Sequence, residues 1–175
     1  MLNTIFYLLF YSGMREGEML ALTLEDFDFT ANTVSITKNY AVVKGEEIIK
    51  EPKTPKSKRV VTIPQPVMDM VLAYSKRLYD LRPTDRLFQT SKHTLYHSMV
   101  KYCERSGVKK IRIHDIRHSH ASMLIEMGVA PLAISERLGH EDIQTTLNTY
   151  SHLYPNKQGE IAIMLAGNIL PKQGE

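Results

Sequence analysis

Cysteine is almost missing from this sequence: Cys103 is the only one in 175 residues. That rules out an internal disulfide and fits a reducing compartment. Long apolar runs are missing too, so no stretch is expected to span a bilayer. The opening segment, Met1 to Phe10, is apolar but has neither a basic leader nor a small-residue cleavage site, and it reads as a core helix. Charge of one sign is scarce: 22 Lys and Arg against 19 Asp and Glu leave a net +3. A surplus this small permits a nucleic-acid partner without requiring one. There is no internal repeat, low-complexity tract or convincing linker, and no acidic cluster of the kind that holds a divalent metal.

What is present has the balance of a globular domain large enough to bury a core. Leu2, Ile5, Phe6, Leu8 and Leu9 suit a buried helix that stops at Ser12-Gly13, and a second helix is expected from Glu16 to Leu22. Thr23 to Asp28 reads as its exit. Asn32 to Lys38 alternates as a strand, Tyr40 to Ile49 as a second strand folded into a hairpin around Lys44-Gly45, and Arg59 to Ile63 as a third. Between them Lys50 to Arg59 is the densest basic run, and Pro52 and Pro55 make it an exposed loop. Helical spacing returns over Val67 to Leu81, Lys92 to Ser106, Asp115 to Met127, and from Pro131 to a stop at Gly139. Glu141-Asp142 can cap a helix carrying Thr145 to Tyr150, and Ile161 to Leu170 is a last apolar helix. The fold class is therefore mainly α with one small antiparallel sheet near its start (α+β).

Chemistry concentrates in a few places. His114-Asp115-Ile116-Arg117-His118 opens one helix, Leu138-Gly139-His140 closes another, and Asn148-Thr149-Tyr150-Ser151-His152 follows. Far upstream stands Gly13-Met14-Arg15-Glu16-Gly17-Glu18. Arginine forks onto two phosphate oxygens and keeps its charge, histidine or lysine moves protons, and tyrosine can attack phosphorus. Together these groups suggest work on a phosphodiester. Each arginine taken singly is an ordinary surface or salt-bridge residue. His114, His118 and His120 could suggest zinc, but no cysteine or well-spaced carboxylate completes the ligand set.

In this order the stretches resemble the boxes of the tyrosine recombinases, also called phage integrases. Gly13 to Glu18 looks like their first arginine box and His114 to Ser122 like the His-x-x-Arg box. Leu138-Gly139-His140 and Asn148 to His152 look like the third histidine and the nucleophilic tyrosine. Pro52-Lys53-Thr54 before Arg59-Val60-Val61 is similar to the β-hairpin lysine region in integrases of conjugative transposons and Gram-positive phages. The resemblance implies that Arg15 and Arg117 clamp the scissile phosphate and that Tyr150 attacks it, leaving a 3′-phosphotyrosine and a free 5′ hydroxyl. It implies further that Lys53 is the general acid, with Lys56 as the competing position. His114 would assist proton transfer as base toward the tyrosine, and His140 would hydrogen-bond a phosphate oxygen. Tyr154 competes weakly with Tyr150.

Glu18 and Asp115 are expected to orient the arginines and the helix terminus, and Lys56, Lys58, Arg59 and His118 to face DNA. No metal, ATP or other cofactor is implied. The partner would be double-stranded DNA, bound by a homotetramer of the full-length protein, with this piece alone monomeric, in the cytoplasm of a bacterial host. Because the chain starts inside an apolar helix, residues 1–175 are expected to be one catalytic domain cut from a longer protein with upstream core-binding and arm-binding domains. The final apolar helix can pack on its own core or in trans. A DNA-binding relative without catalysis, and a type IB topoisomerase or telomere resolvase, are the alternatives.

Overall fold

The computed structural model of the protein describes residues 1–52, 54–154 and 158–169. Helix α1 (Leu2–Ser12) leads into the short α2 (Glu16–Leu20), and five strands follow: β1 (Phe27–Asp28), β2 (Thr33–Ile36), β3 (Asn39–Val43), β4 (Glu46–Lys50) and β5 (Arg59–Thr62). The α-helices that follow among the described residues are α3 (Gln65–Ser75), α4 (Lys92–Ser106), α5 (Ile113–Glu126), α6 (Pro131–Leu138), α7 (Ile143–Tyr150) and α8 (Gln158–Ile169). No helix among the described residues is long and apolar enough to cross a membrane.

The single sheet expected from the sequence is in fact two. β1, β2 and β5 form an antiparallel three-stranded sheet in that order, while β3 and β4 form a separate two-stranded sheet. In the first sheet Val34 lies between Phe27 and Val61, so the buried residues of neighbouring strands share one face against the helices. In the second, Tyr40 is buried but Val42, Val43 and Ile49 are exposed, as in a hairpin whose tip leaves the core. β1 reads as a helix exit in the sequence because a strand of 2 residues is too short to show alternation.

The helix spanning Val67 to Leu81 in the sequence reading stops at Ser75. Beyond it the N–H groups of Arg77 and Leu78 bond three residues back, to Tyr74 O and Ser75 O, and Asp80 takes a left-handed φ of 52°. Leu78 and Leu81 still pack on the core as turn residues.

One large core gathers Ile5, Leu8, Leu20, Ile36, Phe88, Ile113 and Ile116, among others. A small second cluster holds Ala121, Ile125, Ile134, Leu138 and Tyr150. The two meet near Gly13, the residue that ends α1 with φ 66°. A Cβ there would come within 2.5 Å of the His120 ring and 2.8 Å of Leu138. Both the left-handed backbone and the close approach of α5 and α6 therefore require glycine.

Candidate active site

Arg15 is the N-cap of α2, held by Glu18, whose carboxylate accepts from the Arg15 backbone N–H at 2.8 Å and from its Nη1 at 2.8 Å. One acidic side chain thus caps the helix and aims the arginine. Arg15 Nη2 reaches Gly139 O at 3.5 Å, and its side chain keeps 38% of its surface.

Arg117, on the second turn of α5, is buried instead. Its Nη1 donates to Gly13 O at 2.7 Å and its Nη2 to Leu138 O at 2.8 Å. These carbonyls belong to the C-terminal ends of α1 and α6, where helix carbonyls lack partners and carry partial negative charge. Two of the five N–H donors are used this way. Burial, then the nearby charge of Arg15, push the Arg117 guanidinium down to about 9; Glu18 opposes the shift, and Arg117 stays cationic at neutral pH.

His140 follows Gly139, which ends α6 in the left-handed region at φ 68°. Its Nδ1 lies 2.7 Å from the hydroxyl of Thr146 on α7. Burial, then the charges of Arg117, Arg15 and Arg59, drive the imidazole down to about 4, so it is neutral near pH 7. Tyr150 ends α7, whose N-terminus Asp142 caps by accepting from Gln144 N–H at 2.9 Å. The phenol is only 4% exposed, and its hydroxyl lies 2.7 Å from His118 Nδ1. Burial raises its pKa above the ordinary tyrosine value, with Arg117 pulling the other way. Arg15, Arg117, His140 and Tyr150, from four separate segments, thus converge on one cationic site.

The model of the phage integrase family matches residues 1–157. The chain belongs to the phage integrase family. It is 34% identical to the ICEBs1 integrase of Bacillus subtilis (strain 168), over 91% of this chain and 47% of that protein. It is 29% identical to an integrase of Staphylococcus phage L54a, over 86% of this chain and 47% of that one. The chain therefore spans about half the length of the curated relatives it matches. Among solved structures, a Tn1549 transposon integrase in complex with a circular intermediate DNA superposes with a TM-score of 0.76 at 20% identity, over 95% of this chain and 58% of that one. The catalytic domain of bacteriophage HP1 integrase does so at 0.63 and 23%, over 99% and 85%. At these identities the superpositions establish the fold.

In this member of the phage integrase family several other residues differ from their expected places. Arg59, expected to face DNA, is turned inward with a side chain only 7% exposed. Its Nη2 and Nη1 donate to Glu18 at 2.9 and 3.2 Å, its Nη1 to Ser57 O at 2.9 Å and its Nε to Arg137 O at 2.8 Å. A Cβ on Gly139 would meet Arg59 Nη1 at 2.9 Å, so glycine also makes room for this arginine. Glu18 is therefore shared between two arginines. Burial raises its pKa, but hydrogen bonds and charge from Arg59, then Arg15, outweigh burial and leave the carboxyl below its ordinary value.

Asp115 serves the helix terminus, as expected, but not the site arginines. It accepts from Arg112 N–H at 2.8 Å and pairs with the Arg112 guanidinium, which lowers its pKa to about 2. His118, expected to face DNA, contacts Tyr150. His114, expected beside the tyrosine, instead lies edge-on to His118 with ring centroids 4.9 Å apart. Burial, then His118 and Arg117, lower the His114 pKa.

Lys56 donates from Nζ to Glu141 O at 2.7 Å, and Lys58 pairs with Glu51 at 2.9 Å. Lys53 lies outside the described residues. Its neighbours Pro52 and Thr54 border a cleft of about 410 Å³ that Arg15, Glu18 and Gly139 also line.

Arg137 escaped sequence reasoning. In the last turn of α6 it looks like an ordinary helix-end cation, yet it donates to Tyr11 O at 2.7 Å, Thr62 O at 3.1 Å and His120 Nε2 at 3.0 Å. It ties α1, β5 and α5 together. Burial, then Arg137, push buried His120 down to about 4, so it accepts this bond as a neutral ring.

Proposed function

We propose that this domain is the catalytic part of a site-specific DNA recombinase, cutting and rejoining strands through a covalent 3′-phosphotyrosine at Tyr150. The convergence of Arg15, Arg117, His140 and Tyr150 carries the reading. Arg15 and Arg117 hold the non-bridging oxygens of the scissile phosphate and offset the charge that grows on them as the phosphorane forms. Neutral His140, with the Thr146 hydroxyl donating to its Nδ1, presents an Nε2–H to one of the same oxygens. Tyr150 Oη bonds to phosphorus, the P–O5′ bond breaks, and the leaving 5′ oxygen takes a proton from Lys53. The Tyr150 proton passes to the histidine pair of α5, His118 and His114, with His114 assisting the transfer. The 5′ hydroxyl of a second strand then attacks the phosphotyrosine. Because bond energy is kept in the ester, the chemistry as drawn uses no ATP and no metal.

On double-stranded DNA the full-length protein would work as a homotetramer, with α8 exchanged between neighbours. Exposure of Ile161, Ile163, Met164 and Leu165, at 44–74%, supports packing in trans rather than on the domain's own core.

The deciding experiment uses a nicked suicide duplex carrying the boundary sequence of the DNA segment that encodes the protein. The wild-type chain should form a covalent adduct that peptide mapping assigns to Tyr150, and Tyr150→Phe should form none while binding the same duplex within about twofold. An adduct on Tyr154, or none from the wild type, rejects the reading. Relaxation of a supercoiled plasmid without exchange between duplexes would redirect it to a topoisomerase.

A further inference from the structure

The histidine touching the Tyr150 hydroxyl is not that of the His-x-x-Arg box but the residue after its arginine. His118 Nδ1 lies 2.7 Å from Tyr150 Oη, with ring centroids 5.8 Å apart and planes inclined by 58°. We propose that His118 is the base that receives the phenol proton during strand cleavage, and so a catalytic residue; this rests on Tyr150 being the nucleophile.

Tyr150 is 4% exposed, so bulk water is poorly placed to take its proton. A base must already be in contact, and imidazole is the side chain best suited to exchanging a proton near neutral pH. The neighbouring histidines are less suitable. His140 has its Nδ1 engaged with Thr146 and is a weak base at about 4. His114 makes its edge contact with His118.

The charges around His118 come from several elements. His114 and Asp115 share its helix, and Asp115 supplies a negative charge beside the positive one His118 would acquire. His140 faces it from the α6–α7 connection. Lys109, Lys110 and Glu126 line the same surface recess.

The step balances. The Tyr150 O–H bond breaks and its proton moves to the His118 Nδ1 lone pair, which requires the tautomer with hydrogen on Nε2. The freed oxygen pair forms the O–P bond, P–O5′ breaks, and the 5′ oxygen is protonated by a separate acid, expected to be Lys53. Cleavage leaves a His118 imidazolium beside the phosphotyrosine. On rejoining, that imidazolium returns its proton to Tyr150 Oη as the tyrosine departs, while the other acid, now a base, takes the proton of the incoming hydroxyl.

Two measurements test this. The first needs no DNA: nitrogen-15 spectra of the histidine-labelled chain near pH 7.5 should show His118 as the Nε2–H tautomer, with an Nδ1 resonance that moves in Tyr150→Phe. An Nδ1–H tautomer overturns the proposal, because that nitrogen could then only donate. The second compares adduct formation on the nicked duplex with an ordinary scissile phosphate and with a 5′-bridging sulfur, which leaves without a proton. His118→Ala should slow both by about 10²–10³-fold. Added imidazole or higher pH should partly restore the rate, with duplex binding unchanged; His118→Gln, with melting temperature measured alongside, checks that the fold survives. An unchanged rate, or recovery by the sulfur leaving group alone, overturns the assignment. If the wild type forms no Tyr150 adduct, the parent reading fails instead, and the tautomer result still stands or falls by itself.

Discussion

Arg117 and Tyr150 are mounted very differently. Arg117 follows Ile113 and Ile116, which belong to the large core, and its guanidinium is fixed by carbonyls from the ends of two other helices. Tyr150 closes a cluster of five buried residues and leads into a 3-10 turn, with the exposed apolar side chains of α8 beyond. The half proposed to hold the phosphate is preorganised by the fold, the arrangement that electrostatic stabilisation of a transition state favours. Tyr150, the proposed nucleophile, sits on a lighter mount built from this small cluster, where repositioning costs fewer contacts.

The sharpest way to break this contrast is Arg117→Ala. It leaves Gly13 O and Leu138 O buried and unpaired, and should cost roughly 2–6 kcal/mol of stability in urea unfolding, at about 1–3 kcal/mol for each orphaned group. A loss no greater than that of a tyrosine variant would erase the distinction.

Next comes Arg59→Met, which leaves the buried Glu18 carboxylate to Arg15 alone and should cost about 3 kcal/mol. Glu18 has a depressed folded pKa, so its stabilisation is present above the unfolded value and is lost as pH falls through the folded one. In Arg59→Met that acid-side loss should begin at higher pH, and adduct formation should fall because Arg15 is drawn fully onto Glu18. Unfolding curves between pH 3 and 7 check both the size and the direction.

Tyr150→Phe removes one hydrogen bond and should cost only about 1 kcal/mol; a loss comparable to that of Arg117→Ala would show that the tyrosine mount is not light.

The smallest effect is a slope. His120 and His140 have folded pKa values near 4 against an ordinary value of about 6.5, so between those limits the unfolded chain binds more protons. Stability should be level above pH 7 and decline as pH falls through this window. His120→Gln, which keeps an acceptor for Arg137, should flatten part of the decline. A level profile from pH 6.5 to 5 would contradict the buried, neutral state of both rings.

Local signals carried much of the architecture into the sequence. Gly13 and Gly139 end helices where glycine reads as a stop, Asp142 caps α7, and Val34 and Ile36 face inward from β2. The meeting of Arg15 with Arg117 followed from motif order. What could not be read was pairing over distance. Nothing near Arg59 announces a carboxylate 41 positions upstream, and Arg137 has no motif. His114, Arg117 and His118 share one helical face by spacing alone. Which histidine meets the phenol depends on how α5 packs against the end of α7, and that is a tertiary fact.

The structural duty of Arg117, beside the one proposed for it, bears on the making of reagents. If the domain cuts DNA as proposed, a form meant to grip its target without cutting it would be poorly served by disarming this arginine, since the same change loosens the junction of three helices. The inert decoy is better made at the phenol, where a single oxygen can be deleted and the scaffold scarcely notices.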